Sequence, residues 1–242
     1  MRSRHILLLG GTAEARALAR ELIRIGHSVV TSLAGVTQNP TLPEGELRVG
    51  GFGGEEGLYD YLLSRNFDVL IDATHPFAAK ISSHAVAAGM RAGITYLRLE
   101  RKPWVPISGD RWIEVAGIAG AISALPHEAR IMLTIGRKDI ASFLKRQDLS
   151  GVVRMIEVPP VALSSRWKLI LARPPFEFED EKNLLSAEKI THLVTKNAGG
   201  EQTEAKLLAA RELGLAVVMI GRPQKPAARC FATVEALVAA IQ

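Results

Sequence analysis

The stretch His5–Arg16, HILLLGGTAEAR, decides the fold expected for the first half of this chain. An apolar, strand-like run (His5–Leu9) leads into the pair Gly10-Gly11. Apolar residues then recur at the 3.6-residue helical spacing over Ala13–Ile25. A strand, a glycine turn and a helix in this order are typical of an open α/β sheet, which binds ligands beyond the carboxyl ends of its strands. The stretch therefore predicts the fold class and the sheet edge at which a site would form.

Two later segments have the same arrangement. DATHPFA (Asp72–Ala78) follows the end of a buried apolar run, and KNAGG (Lys196–Gly200) follows another. Each leads toward a helical pattern. Three such turns in one chain predict a site built by loops from two halves, and the first turn suggests an enzyme that uses a nucleotide cofactor.

Strands and helices alternate along the rest of the chain, which predicts mainly parallel sheets. Strands are predicted at His5–Leu9, Ser28–Leu33, Glu46–Val49, Asp68–Ala73, Thr95–Leu99, Trp112–Val115, Arg130–Ile135, Val152–Val158, Lys168–Ala172, His192–Thr195 and Ala216–Ile220. Helices are predicted at Ala13–Ile25, Glu55–Arg65, Pro76–Ala92, Ile118–Leu125, Lys138–Gln147, Asp180–Ala187, Thr203–Leu213 and Val234–Ile241. The segment Arg101–Asp110, with two prolines and no periodicity, is the predicted linker.

We therefore expect an α/β protein of two Rossmann-like lobes. Residues 1–105 would form a dinucleotide-binding N-terminal lobe, and residues 106–229 a second lobe. The remaining segment, residues 230–242, is expected to be a helix that could pack back on the first lobe.

Composition narrows the class of protein. The 242 residues are 48% hydrophobic and 5% aromatic, which suits buried parallel strands and argues against disorder. The one cysteine, Cys230, allows no internal disulfide, and no Cys/His spacing predicts a metal site. No apolar run approaches the ~20 residues of a membrane helix, and Met1–His5 runs straight into a strand without room for a signal peptide. We expect a soluble cytoplasmic protein with no metal and no membrane partner.

The formal net charge of +5 at pH 7 is a weak functional signal. Basic residues are mostly dispersed and no basic-aromatic cluster occurs, which argues against a nucleic-acid partner. Attraction for a polyanionic small molecule and an ordinary solvated surface both remain compatible with this charge.

The segment GGTAEAR fits a diphosphate-binding turn. Gly10 and Gly11 allow a tight turn, Thr12 suits a helix N-cap, and the small Ala15 allows close packing of helix on strand. The helix N-terminus behind them would bind a pyrophosphate through its N–H groups. The segment lacks the complete G-x-G-x-x-G fingerprint, and a purely structural strand-ending turn is the alternative interpretation.

The end of the second predicted strand favours NADPH over NADH. Enzymes that bind NAD usually carry an acid there for the ribose 2′-OH, but the stretch Thr31–Gly35 has none. Without the acid nothing repels a 2′-phosphate, and hydroxyl groups are present to donate to it.

DATHPFA and KNAGG supply further polar candidates. Asp72 and Thr74 would bond a ribose or the nicotinamide, and His75 would face the substrate as a neutral donor, because the adjacent helix N-terminus disfavours an imidazolium. Simple capping of that helix by Thr74 or His75 is the alternative. Lys196 provides a fixed charge beside Gly199-Gly200, where the backbone could approach an anion closely; an exposed turn is the alternative.

Taken together, these segments resemble the CobK/CbiJ family of precorrin-6A reductases. The resemblance covers essentially the whole chain in order. It rests on Gly10–Ala15, Ser32–Gly35, Gly50–Gly54, Asp72–Ala78, Tyr96–Arg101, Thr134–Arg137, Lys196–Gly200 and Arg222-Pro223. Two positions depart from the family pattern: Val36 stands where an arginine often follows LAG, and Pro174 stands where ARGPF is common.

The resemblance implies an NADPH-dependent oxidoreductase of cobalamin biosynthesis, which would reduce precorrin-6A to dihydro-precorrin-6 (precorrin-6B) in a cleft between two lobes. Cofactor contacts are expected at Gly10, Gly11, Thr12, Glu14, Ala15, Ser32, Leu33, Ala34, Gly51, Gly53, Asp72, Ala73, Thr74, Asn197, Gly199 and Gly200. Contacts with the substrate carboxylates are expected at Arg98, Arg101, Gly136, Arg137, Lys196 and Arg222. His75, Lys196 or water would donate the proton.

Some alternatives stay open at this point. The metal-free and the cobalt-containing substrate are both compatible with the motifs. Transient contact with neighbouring enzymes of the pathway is a further expectation. An NADPH-dependent reductase of another small substrate and a non-catalytic NADPH-sensing module are the competing hypotheses.

Overall fold

The computed structural model describes residues 2–35 and 41–241, so the departure at Val36 lies outside the described residues. The chain forms two compact units. The first consists of Met1–Lys102 together with Pro223–Gln242, and the second of Pro103–Arg222. The first unit is therefore discontinuous in sequence, because the chain leaves it after Lys102 and returns to it at Pro223.

Strands and helices alternate through both units. The strands are β1 (His5–Leu9), β2 (Ser28–Leu33), β3 (Glu46–Val49), β4 (Val69–Asp72), β5 (Thr95–Leu99), β6 (Arg111–Val115), β7 (Arg130–Thr134), β8 (Ser150–Met155), β9 (Trp167–Leu171), β10 (His192–Lys196), β11 (Ala216–Ile220) and β12 (Arg229–Phe231). The helices are α1 (Ala13–Arg24), α2 (Glu55–Ser64), α3 (Ala79–Arg91), α4 (Ile118–Ser123), α5 (Ile140–Leu144), α6 (Phe178–Ala187), α7 (Ala205–Glu212) and α8 (Val234–Ile241).

The sheet of the first unit has the order β12-β5-β4-β1-β2-β3 and is parallel throughout. Side chains of β1 alternate between its two faces. Ile6 and Leu8 pack with α1 and α8, whereas Leu7 and Leu9 pack with α2 and α3. Because both faces are covered, the buried positions Ile6–Leu9 are all apolar, which is why the strand contains a continuous aliphatic run.

The sheet of the second unit has the order β6-β11-β10-β7-β8-β9 and is also parallel. Met132, Leu193 and Val217 from three neighbouring strands pack with Leu185 of α6 and Leu207 of α7. The order β5-β4-β1-β2-β3 in the first unit corresponds to β11-β10-β7-β8-β9 in the second. Each sheet has a sixth strand at one edge. The predicted α/β class with mainly parallel sheets is confirmed.

Most observed elements end within one or two residues of the predicted ends, and the largest differences are at α3, α5 (Ile140–Leu144 against the predicted Lys138–Gln147) and β8. Helix α3 begins at Ala79 rather than at Pro76, because His75 closes a turn before it: the carbonyl of His75 accepts a 2.8 Å hydrogen bond from the amide of Ala78. Strand β8 ends at Met155, short of the predicted Val158. The short edge strand β12 has no counterpart in the sequence prediction, since three residues are too few to show a pattern.

None of the helices within residues 2–35 and 41–241 combines the length and the hydropathy that crossing a bilayer requires.

Candidate functional site

Thr12 joins the loops that follow β1 and β4. Its hydroxyl accepts a 3.0 Å hydrogen bond from the amide of Ala15, which caps α1, and donates a 2.9 Å bond to the carbonyl of Ala73. From β1 the chain proceeds to β2 and β3 on one side, whereas β4 and β5 lie on the other. Open α/β sheets bind their ligands at such a switch point, beyond the carboxyl ends of the strands.

The two glycines before Thr12 have separate tasks. A Cβ on Gly10 would lie 2.9 Å from the Cγ2 of Thr31, so this glycine lets the turn pack against β2. Gly11 has a φ of +113°, and a Cβ there would meet no atom within 4 Å. Bare backbone thus faces open space directly before the N-terminus of α1, and Ala15 is buried beneath it. This arrangement fits the diphosphate of a dinucleotide.

Glu14 and Arg101 form an ion pair at the same edge. Nη1 of Arg101 lies 2.8 and 2.9 Å from the two carboxylate oxygens of Glu14. Burial acts to raise the pKa of Glu14, but hydrogen bonding and the charge of Arg101, with smaller contributions from its own backbone and Thr12, bring it below its ordinary value. The pair lines a small pocket together with Thr12, Thr74, Pro76, Leu99 and Glu100. A carboxylate held ionised and paired therefore stands in the first turn of α1.

Asp72 is the centre of a buried network at the end of β4. It is 1% exposed, and it accepts hydrogen bonds from the amide (3.1 Å) and hydroxyl (2.6 Å) of Thr74 and from the hydroxyl of Tyr96 (2.9 Å). Arg98, 4% exposed, donates to the Tyr96 hydroxyl through Nε and Nη2, and to the carbonyl of Pro226 through Nη1. The network therefore ties β4 and β5 to the segment that precedes β12.

Burial, hydrogen bonds and neighbouring charges shift the pKa values of Asp72 and Tyr96. Burial acts to raise the pKa of Asp72, but hydrogen bonds from Ser82 and Thr74 and the charge of Lys225 bring it below its ordinary value. Burial and then the Asp72 charge raise the pKa of Tyr96. Tyr96 thus stays protonated and donates to an ionised Asp72. The ligand contacts predicted at Asp72 and Arg98 stay predictions. Both side chains are buried and hydrogen-bonded inside the first unit.

His75 is exposed directly after Thr74. Its Nδ1 accepts a 3.2 Å hydrogen bond from the amide of Phe77, so the neutral ring carries its proton on Nε2. This bond lies in the turn before α3, whose N-cap, Ala78, has no side-chain capping bond. His75 therefore bonds within that turn and does not cap α3, and the neutral donor role predicted for it stays a prediction.

The predicted cofactor positions Ser32, Leu33 and Ala34 lie at the end of β2, and Gly51 and Gly53 follow β3. Arg48 of β3 connects the two groups, because its guanidinium donates to the hydroxyl of Ser32 and to the carbonyl of Gly51. The sequence analysis did not single out this arginine. Its place directly before a glycine cluster was the available signal.

In the second unit, two of the predicted substrate-binding cations are paired with carboxylates. Lys196 at the end of β10 lies 2.6 Å from Asp139, and Arg137 lies 3.2 Å from Glu157. Both contacts join the loop after β7, which also holds Gly136, to a neighbouring strand end. The roles predicted for Lys196, Gly136 and Arg137 stay predictions, and no sequence motif indicated Asp139 or Glu157.

The KNAGG loop is held by two side chains. The amide of Asn197 accepts from the backbone N–H of Trp104 (2.8 Å) and donates to its carbonyl (2.9 Å). Arg222 donates to the carbonyls of Asn197 and Ala198, both at 2.9 Å. Gly199 and Gly200 follow with φ of +70° and +86°. Asn197 and Arg222 therefore shape this loop, and their contacts with ligands stay predictions.

In the part of the chain that the structure describes, no group of three or more His, Cys, Asp or Glu side chains could hold a metal ion.

Comparison with known proteins identifies the family of the chain. The family described as "Precorrin-6x reductase CbiJ/CobK" matches residues 5–242. The chain belongs to this family. The precorrin-6A reductase of Rhodococcus erythropolis is 47% identical over 225 residues, 92% of this chain and 91% of the relative. That of Rhodobacter capsulatus is 43% identical over 236 residues, 96% and 94% of the two chains.

A solved structure, "CobK precorrin-6A reductase", has a TM-score of 0.92 at 42% identity and covers 98% of this chain and 96% of its own. The cobalt-precorrin-6A reductase of Priestia megaterium is more distant, at 29% identity over 252 residues, 98% of this chain and 97% of the relative. The family predicted from the motifs is confirmed, and the chain is an oxidoreductase. Membership of this family implies a nicotinamide cofactor.

The buried network around Asp72 yields a stability prediction. Tyr96→Phe removes a hydroxyl that donates to Asp72 and accepts from Arg98, and leaves both charges under-satisfied. We expect a loss of about 1 to 3 kcal/mol in the free energy of unfolding, measured by urea titration at pH 7. Tyr59→Phe is the control, because that ring packs beneath Arg91 and lies outside the network. Equal stability of the two variants would show that the Tyr96 hydroxyl does not stabilise the fold.

Proposed function

We propose that this chain reduces precorrin-6A to dihydro-precorrin-6 (precorrin-6B) with NADPH, as a cytoplasmic step of cobalamin biosynthesis. The observation that carries the cofactor part is the switch-point edge of the first unit. There the Thr12-capped N-terminus of α1 lies behind the bare backbone of Gly11. Family membership supports the substrate and the reaction.

NADPH rather than NADH is supported by the end of β2. The residues from Thr31 to Gly35 include no acid, so no carboxylate there would bond a ribose 2′-OH or repel a 2′-phosphate. The proposed contacts are the cofactor positions named from the sequence, of which those from Gly10 to Thr74 belong to the first unit.

The metal-free substrate is supported by the pattern of relatives. Two relatives named precorrin-6A reductase are 47% and 43% identical to this chain, against 29% for one named cobalt-precorrin-6A reductase. We therefore propose precorrin-6A as the natural substrate.

Binding and orientation are the main tasks of the protein in this reaction. When bound, NADPH supplies the hydride, and a proton completes the addition of two hydrogens to the macrocycle. The N-terminus of α1 and the backbone of Thr12 would bind the diphosphate, since the Thr12 hydroxyl already bonds Ala15 and Ala73. His75 holds a proton on Nε2 at the exposed end of the loop after β4. Arg137 and Lys196 are the proposed contacts for substrate carboxylates in the second unit.

The first experiment is anaerobic incubation with precorrin-6A and either NADPH or NADH, followed by the macrocycle spectrum and the product mass. The expected result is a shifted chromophore with a gain of two hydrogens, formed faster with NADPH. Binding of NADPH without turnover would point to the cobalt form, another substrate or a sensing module. A protein that binds no NADPH would contradict the proposal.

His75→Ala tests the source of the proton. We expect a modest loss of kcat with unchanged affinity for NADPH, because water replaces a side chain at an exposed position. General acid catalysis is typically worth about 10²- to 10⁴-fold, so a loss well below that range supports water as the donor. Steady-state kinetics and a separate NADPH titration measure the two quantities. Complete loss of turnover with intact binding would make His75 indispensable.

Arg101→Met tests the ion pair at α1. Without Arg101, the Glu14 carboxylate stands unpaired beside the proposed diphosphate site. The repulsion should weaken NADPH binding about five- to thirtyfold, as measured by calorimetry without substrate.

The double variant Glu14→Gln/Arg101→Met is the matched control, since it removes both charges. It should bind NADPH within about twofold of Glu14→Gln alone. If the double variant binds as weakly as Arg101→Met, Arg101 contacts the cofactor directly and the explanation through Glu14 is wrong.

A further inference from the structure

We propose that Arg48 recognises the ribose 2′-phosphate and thereby makes the protein selective for NADPH over NADH. This inference rests on the proposed use of NADPH. It concerns a residue that the sequence motifs did not single out. The end of β2 has no acid to repel a 2′-phosphate, and Arg48 supplies the positive charge that would attract one.

The position of Arg48 is set by the sheet. Strands β2 and β3 are parallel neighbours, and Arg48 is the register partner of Ser32. Its Nη1 donates a 3.2 Å hydrogen bond to the Ser32 hydroxyl. The ribose of a bound dinucleotide lies at the carboxyl end of the second strand in folds of this class. A guanidinium and a hydroxyl therefore meet where a 2′-phosphate would be placed.

Arg48 differs from other arginines of the first unit in its partners. Arg65, Arg91 and Arg101 each lie within 4.0 Å of a carboxylate. Among the described residues, no carboxylate comes that close to Arg48, whose hydrogen bonds go to a hydroxyl and to the carbonyls of Gly50 (2.5 Å) and Gly51 (2.8 Å). Its charge is thus solvated by neutral groups and not neutralised, which leaves it available to an anionic ligand.

The guanidinium is also held in place. It stacks on the ring of Phe52, with its central carbon 3.8 Å from the ring centroid, and a second ring, Tyr61, lies at 5.2 Å. An arginine fixed in this way loses little conformational entropy when it binds, and its planar fork matches a phosphate.

The glycines after Arg48 leave room beside it. Gly50 and Gly53 have φ of +116° and +82°, and a Cβ on either would meet no atom within 4 Å. The same holds for Gly51, which accepts from Arg48. A loop of bare backbone next to a fixed cation suits close approach by a phosphate.

A purely structural role is the competing explanation, since Arg48 also pins the glycine loop to β2. The two roles differ in their effect on cofactors. Loss of a residue that supports the loop weakens the binding of NADP⁺ and of NAD⁺ equally, because both contain the adenosine and the diphosphate. Loss of a contact with the 2′-phosphate weakens the binding of NADP⁺ alone.

The test is equilibrium binding of NADP⁺, NAD⁺ and adenosine 2′,5′-bisphosphate, measured by calorimetry on the full chain. We expect the wild type to bind NADP⁺ more tightly than NAD⁺. Arg48→Gln should lower the affinity for NADP⁺ and for the bisphosphate about tenfold to a hundredfold. The affinity for NAD⁺ should change by less than about twofold. Arg65→Gln is the matched control and should change none of them, because Arg65 pairs with Glu46 at the surface.

Each other outcome overturns the inference. Equal weakening of both dinucleotides by Arg48→Gln assigns the residue to loop structure, and unchanged NADP⁺ binding removes it from the site. A wild type that prefers NAD⁺ contradicts the proposed cofactor itself, which separates the two failures. If Arg48→Gln does not fold, Arg48→Lys keeps the charge without the fork, and it should lose affinity for NADP⁺ but not for NAD⁺.

Discussion

The Thr12 hydroxyl connects the two strand ends on which the first unit's site depends. It accepts from the amide of Ala15 and donates to the carbonyl of Ala73, so one side chain both starts α1 and fixes it to the loop after β4. Beside this helix start, Gly10 packs against β2 and Gly11 presents bare backbone to open space. The buried network of Asp72 then secures the far side of the same loop.

The charged groups at the strand ends follow from the fold as well. A parallel sheet covered on both faces has apolar strands, so its polar side chains are concentrated beyond the carboxyl ends. Cations placed there are mostly paired within the protein, as Arg101 is with Glu14 and Lys196 with Asp139. Arg48 differs because aromatic rings, carbonyls and a hydroxyl surround it. Such pairing means that a basic residue in a motif is not by itself a ligand contact.

The strands of both sheets and most helices could be predicted, because continuous aliphatic runs and the 3.6-residue period report burial directly. Predictions failed where burial was not the deciding force. The start of α3 depends on a turn closed by His75, and β12 is recognisable only through its pairing with β5. For the site, local motifs located the loops after β1, β4 and β10. They did not reveal Arg48 or Asp139, because what matters about these residues is which side chain lies opposite them.

The sequence by itself determined the α/β class, the family and the loops that form the candidate site, since each of these depends on residues close together along the chain. Only the tertiary structure decided how those loops are used. It bonded Arg98 to the carbonyl of Pro226, paired Arg101 with Glu14, bonded Asn197 to Trp104, and placed Arg48 opposite Ser32. These contacts join residues distant in sequence. They are set by strand order and register, which no local pattern encodes.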